Sequence, residues 1–141
     1  MRQIRATAPA ETRDGRAQVH LALRAQLKGM SPEFKGSLIG YNRTLAHYLS
    51  RDLAEHAHFP GVIPSWDNTA RRQRDGTLVL GASPMAFEVW VRELIYRASL
   101  KPDAQERVIF INAWNEWAEG CHLEPDLRYG RAWLEACRTA R

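Results

Sequence analysis

The chain is 141 residues long, 45% apolar and 26% charged, with a net charge of +4 at neutral pH and a pI near 9.4. That length allows one domain with enough apolar content for a core, and two cysteines are too few for a disulfide framework and lack metal-ligand spacing. The 20 basic and 16 acidic side chains are interleaved, which reads as a solvated surface and excludes nucleic acid as the expected partner, and no apolar run approaches the roughly 20 residues of a membrane span.

Residues 1–16 are polar, contain Pro9 and Gly15 and show no apolar period, so a loosely structured lead-in is expected. Their charges are followed by no apolar core, and they do not make a secretory signal. Over 17–28, Val19, Leu23 and Leu27 recur at four-residue spacing and Gly29 follows, which predicts a short helix. A loop through Ser31 and Pro32 then leads to a short strand at Leu38 and Ile39. Tyr41, Leu45, Tyr48, Leu49 and Leu53 fall on one stripe and predict a helix over 41–57. His47, His56 and His58 share no cluster of carboxylates or thiols at ligand spacing, so they read as surface or packing histidines rather than a metal site.

Gly61, Val62 and Ile63, set between Pro60 and Pro64, read as a short apolar strand. The next block, Trp66-Asp67-Asn68-Thr69-Ala70-Arg71, reads as a strand running out into hydrogen-bonding side chains. Trp66 can stack on a sugar, Asp67 and Asn68 can grip hydroxyls, and Arg71 can pair with Asp67 or with a substrate anion. The same residues also suit an Asx turn closed by an ion pair. Residues 77–80 read as an extended excursion outside any barrel. Ser83 and Pro84 then supply the cap and first position of a helix whose stripe is Phe87, Val91, Leu94 and Ile95, with Trp90 in the core.

Residues 108–111 are four consecutive apolar side chains, which predicts a strand buried on both faces. Immediately after it come Asn112, Asn115, Glu116 and Glu119, at the carboxyl end of a strand where open sheets and barrels carry their sites. Glu116 and Glu119, three apart, can face one small volume; two like charges there disfavour double ionisation, so one can serve as acid and the other as base or nucleophile. Trp114 and Trp117 add flat apolar faces, and carboxylates walled by indoles suit cleavage of a glycosidic bond. A solvated helix face with core tryptophans would give the same spacing, but Gly120 and Pro125 break such a helix too soon. His122 and Glu124 follow in an acidic loop and read as substrate-contacting or supporting groups. Glu119 and His122 imitate half of a di-iron motif whose second copy is missing, so no metal and no cofactor are expected. Residues 127–140 close with a helix burying Tyr129, Trp133, Leu134 and Cys137.

The segment from Phe110 to Gly120, continued by His122-Leu123-Glu124-Pro125-Asp126 and Tyr129-Gly130, resembles the signature of the WbsX-like family, within the glycoside hydrolase family 99-like domains. The block Pro64-Ser65-Trp66-Asp67-Asn68-Thr69-Ala70-Arg71 resembles a second element of that family, in the right order and at the right distance. The resemblance covers about residues 34–137. It implies an α/β fold, the C-terminal portion of a (β/α)8 TIM-like barrel that is incomplete in this chain, because a whole barrel needs roughly 250 residues.

By position, Glu116 would be the base on the sugar's 2-hydroxyl and Glu119 the general acid and base at the glycosidic oxygen. Trp66, Asp67, Asn68, Arg71, Asn115, Trp117, His122 and Glu124 would line the sugar site. Ala118 stands where the family's hydrolases carry His. The expected activity is glycosyl transfer or glycosidic cleavage in bacterial cell-surface polysaccharide metabolism, lipopolysaccharide and O-antigen included. Its substrate would be a glycan or derive from a nucleotide sugar, and the protein would be cytoplasmic. The alternative is a truncated sugar-binding or inert remnant of such a barrel. With barrel strands missing, self-association through exposed sheet edges is also expected.

Overall fold

A computed structural model describes residues 27, 30–50 and 59–141. The lead-in, the helix expected over 17–28 apart from Leu27, the far half of the one expected over 41–57, and His56 and His58 lie outside the described residues. The order is β1 (Ser37–Gly40), α1 (Tyr41–Ser50), β2 (Gly61–Val62), α2 (Thr69–Arg72), β3 (Thr77–Leu80), α3 (Pro84–Ser99), β4 (Phe110–Ile111), β5 (Asn115–Glu116), β6 (Cys121–His122) and α4 (Ala132–Thr139). The architecture is mixed α/β. Among the described residues the strands form three two-stranded sheets, parallel β1–β3, parallel β2–β4 and antiparallel β5–β6, and no closed barrel.

The centre of the packing is α3. Ser83 caps it by accepting from the Ala86 N–H at 3.2 Å, and Pro84 occupies a first-turn position where its missing N–H costs nothing. Phe87, Trp90, Val91, Leu94 and Ala98 then fall on one face and are all buried. Burying a side chain such as Phe87 contributes about 2–3 kcal/mol relative to leaving it in water. On either side of that face, the pairs Glu88–Arg92 and Glu93–Arg97 link successive turns.

Two groups of aromatic rings fix α3 to its neighbours. Trp90 takes Tyr41 edge-on at 5.5 Å and Tyr48 at 5.4 Å, joining α1, while Phe87 meets Trp133 of α4 at 5.6 Å. Tyr41 also donates its hydroxyl to the Ile63 carbonyl at 2.7 Å, tying the start of α1 to the chain leaving β2. Burial, and then the nearby Cys121, push that phenol well above its usual range.

Three strand expectations change. Residues 77–80 belong to a sheet, paired in parallel with β1 from Ser37↔Thr77 to Gly40↔Leu80. The approach is close at its start: a Cβ on Gly36 would lie 1.9 Å from the Gly76 carbonyl oxygen, so only glycine fits. The Trp66 block is not a strand but an isolated bridge, Asp67↔Leu78, running into the helical turn α2. Finally, the expected buried strand over 108–111 is paired only at Phe110 and Ile111, and Val108 and Phe110 are exposed. Among the described residues β4 has one sheet neighbour, β2, and Phe110 meets Phe59 edge-on at 6.0 Å on the outer side.

Candidate functional site

The site is built where β4 runs out. Asn112 continues the sheet by donating its N–H to the Val62 carbonyl at 2.9 Å. Its own carbonyl accepts the Cys121 thiol at 2.7 Å, and its amide reaches the same sulfur at 3.5 Å. Cys121 is fully buried, and that burial pushes its thiol pKa up. It therefore acts as an internal clamp rather than a nucleophile.

Between Asn112 and Cys121 the chain makes a tight hairpin. β5 and β6 pair as Asn115↔His122 and Glu116↔Cys121, and the single 3-10 turn Trp117–Glu119 ends at Gly120 with a left-handed φ of 56°. The Trp114 carbonyl accepts from the N–H groups of both Leu123 and Glu124, which closes the base. Glu116 and Glu119 thus sit on one turn but in unlike surroundings. Glu116 is exposed, whereas Glu119 is 8% exposed, the one buried charged residue among those described.

The Trp66 block docks against this turn. Asp67 donates its N–H to the Glu119 carbonyl at 2.7 Å, and Ser65 donates its hydroxyl to the Gly120 carbonyl. A Cβ on Gly120 would meet Asp67 at 3.2 Å, so the contact is backbone against backbone. From the first turn of α2, Arg71 forms an ion pair with the Glu119 carboxylate. The Arg71 side chain is 62% exposed and that of Glu119 11%. Arg71 thus neutralises the buried acid while remaining open to solvent.

Other residues of the block are used locally. Asp67 Oδ1 accepts from the Thr69 N–H at 2.9 Å and from its hydroxyl at 2.6 Å, an Asx turn. Asn68 Oδ1 accepts from the Thr77 N–H at 2.6 Å, which pins the block to β3. Trp66 is half-buried, and its carbonyl accepts from Val79.

The indoles belong to the same hairpin, Trp114 just before β5 and Trp117 at the start of the turn that contains Glu119. Trp114 is 52% and Trp117 49% exposed. Trp117 stacks on the His122 ring at 3.7 Å, with 18° between planes, and donates Nε1–H to Glu124 at 2.7 Å. His122 and Glu124 therefore lie against an aromatic side chain. Asn115 is exposed on β5.

Asp126, which lies in the signature segment but was given no role in the sequence reading, supports the His122 ring. One carboxylate oxygen meets His122 Nε2 at 3.0 Å, and the other accepts the N–H groups of Arg128 and Tyr129. Burial works against its charge, yet the Tyr129 N–H, the His122 ring and the Arg128 N–H together hold its carboxyl below the usual carboxylate range. Its signal was an Asp three positions before Tyr129-Gly130, a turn-forming arrangement. Among the described residues no group of three or more His, Cys, Asp or Glu is disposed to hold a metal ion, and no helix is long and apolar enough to cross a membrane.

Comparison with known proteins returns a consistent result. The family model described as "Glycosyltransferase WbsX" matches residues 3–137. Two relatives, each described as "Uncharacterized protein WxcX" and from two strains of Xanthomonas campestris pv. campestris, are 39% identical over 116 residues. The match covers 82% of this chain and 17% of each relative, so the chain spans about a sixth of the length of the curated proteins it matches. No solved structure matches it.

Proposed function

Because the chain belongs to the WbsX glycosyltransferase family, we propose that it carries the acid-bearing part of a carbohydrate site serving bacterial cell-surface polysaccharide metabolism. The observation that carries this reading is the docking of the Asp67–Arg71 block onto the Glu119 turn, with Trp114 and Trp117 exposed beside it. Sugars offer C–H faces to indoles and hydroxyls to carboxylates, and both partners are present.

The unlike surroundings of the two glutamates support divided roles. Glu116, open to solvent, is the base on a sugar hydroxyl, and Glu119, shielded and held by Arg71, works at the glycosidic oxygen. The parallel pairs β1–β3 and β2–β4, with the acids following the carboxyl end of β4, fit part of a glycoside hydrolase family 99-like (β/α)8 barrel. The substrate is a glycan or a sugar delivered from a nucleotide sugar, and the outcome is transfer or cleavage.

Glu119→Gln tests the acid role. Turnover of O-polysaccharide released from Xanthomonas campestris lipopolysaccharide should fall by on the order of 10²–10⁴, with the melting temperature nearly unchanged because Arg71 is mostly solvated. Undiminished turnover in that variant removes Glu119 from the chemistry. A second reading, a sugar-binding module without catalysis, is favoured by Arg71 sitting on Glu119 while the indoles stay exposed. It expects glycan binding that survives Glu119→Gln and is lost in Trp117→Ala.

A further inference from the structure

We propose that Asp126 is a positioning residue that fixes the Trp117 indole as a sugar-stacking platform, acting through the His122 ring. The inference rests on the carbohydrate reading for what the platform binds, but not for how the platform is held.

The geometry forms a continuous line from core to surface. Trp133 of α4 is buried, and Tyr129 packs on it edge-on at 5.3 Å. The Tyr129 N–H and the reciprocal backbone bonds between Asp126 and Gly130, at 3.2 and 2.8 Å, fix Asp126 at the entrance to that helix. Asp126 then holds His122 by Nε2, and the His122 ring lies almost parallel beneath Trp117.

Among the described residues the His122 side chain has no other polar hold. Its Nδ1 is buried and, among the described residues, makes no hydrogen bond, so the tilt of the imidazole is set by Asp126 and by the stack alone. A ring with one tether loses its orientation when that tether goes. Trp117 has a separate tether, Nε1–H to Glu124, but a single hydrogen bond allows the indole to swing about that bond. The imidazole removes that freedom by covering one face, which leaves the other for a sugar. Trp117 also opens the turn that contains Glu119, so the same line of contacts positions the platform relative to the acid.

The test uses the whole chain labelled with ¹⁵N. The Trp117 indole N–H is assigned by its disappearance in Trp117→Phe, and its shift and solvent exchange are compared in Asp126→Asn and in Glu124→Gln. Asp126→Asn should move the resonance away from its stacked position and speed its exchange about tenfold or more, while the other four indole signals stay in place and report an intact fold. An unchanged Trp117 signal with the fold intact overturns the proposal. So does collapse of all five signals in both Asp126→Asn and the gentler Asp126→Glu, since Asp126 would then be holding the fold and not the ring.

Binding of the O-polysaccharide described above separates the two readings. Loss of binding in Trp117→Ala together with weakening in Asp126→Asn supports both. Full binding in Trp117→Ala sinks the platform's role in sugar recognition. Loss in Trp117→Ala with wild-type binding in Asp126→Asn sinks the positioning role alone.

Discussion

Gly120 is the point at which the two halves of the site touch. It combines a φ of 56° with an approach to Asp67 that leaves 3.2 Å for a Cβ, so a side chain there meets both backbone strain and a neighbour. Gly120→Ala should lower stability by about 1–2 kcal/mol from the left-handed conformation alone, and by more if Asp67 must retreat. Urea unfolding measures it, and a variant as stable as the parent would mean the contact is loose. Local geometry of single residues was partly legible in the sequence: the Asx turn at Asp67 was one expected arrangement and forms, whereas the strand expected through its block is a bridge and a helical turn. The partner of Arg71 was not legible. Asp67, four positions away, was one expected ion-pair partner, yet the guanidinium lies on Glu119, a pairing that only the docking of distant segments creates.

At the scale of elements, local signals were the readable ones. The cap, first-turn proline and apolar stripe of α3 are all written within 16 residues, and the helix follows them. β3 was legible as extended, but its partner was not, because the pairing depends on β1, some forty residues earlier, and nothing in Thr77–Leu80 announces that strand. The buried strand over 108–111 was overstated for a related reason: apolar character was visible, but which side would be covered was not. The clasp from His122 to Tyr129 carries a pH prediction. Asp126 has a folded pKa below the ordinary value of about 3.9. Its contribution to stability is therefore full above about pH 4 and is lost as pH falls through the folded value. Acid titration followed by tryptophan fluorescence should show a transition in that range that is absent in Asp126→Asn. An identical acid profile for the two proteins would show that the clasp does not depend on the carboxylate's charge.

For the whole molecule, the outer side of β4 matters most. Phe59, Val108 and Phe110 are exposed together, and β4 has a sheet neighbour only in β2 among the described residues. Apolar rings beside an open strand favour pairing with another chain. The isolated 141-residue chain should self-associate, and Phe110→Glu should shift it toward monomer in light scattering coupled to size exclusion. A monomeric parent chain would contradict this.

The bond from the Asp67 N–H to the Glu119 carbonyl joins positions roughly fifty residues apart. Contacts of such long range form late, after the loops between them have closed. A nascent or partly refolded chain would hold its central helix and still be chemically silent, so any activity belonging to this turn would lag behind helical content during refolding.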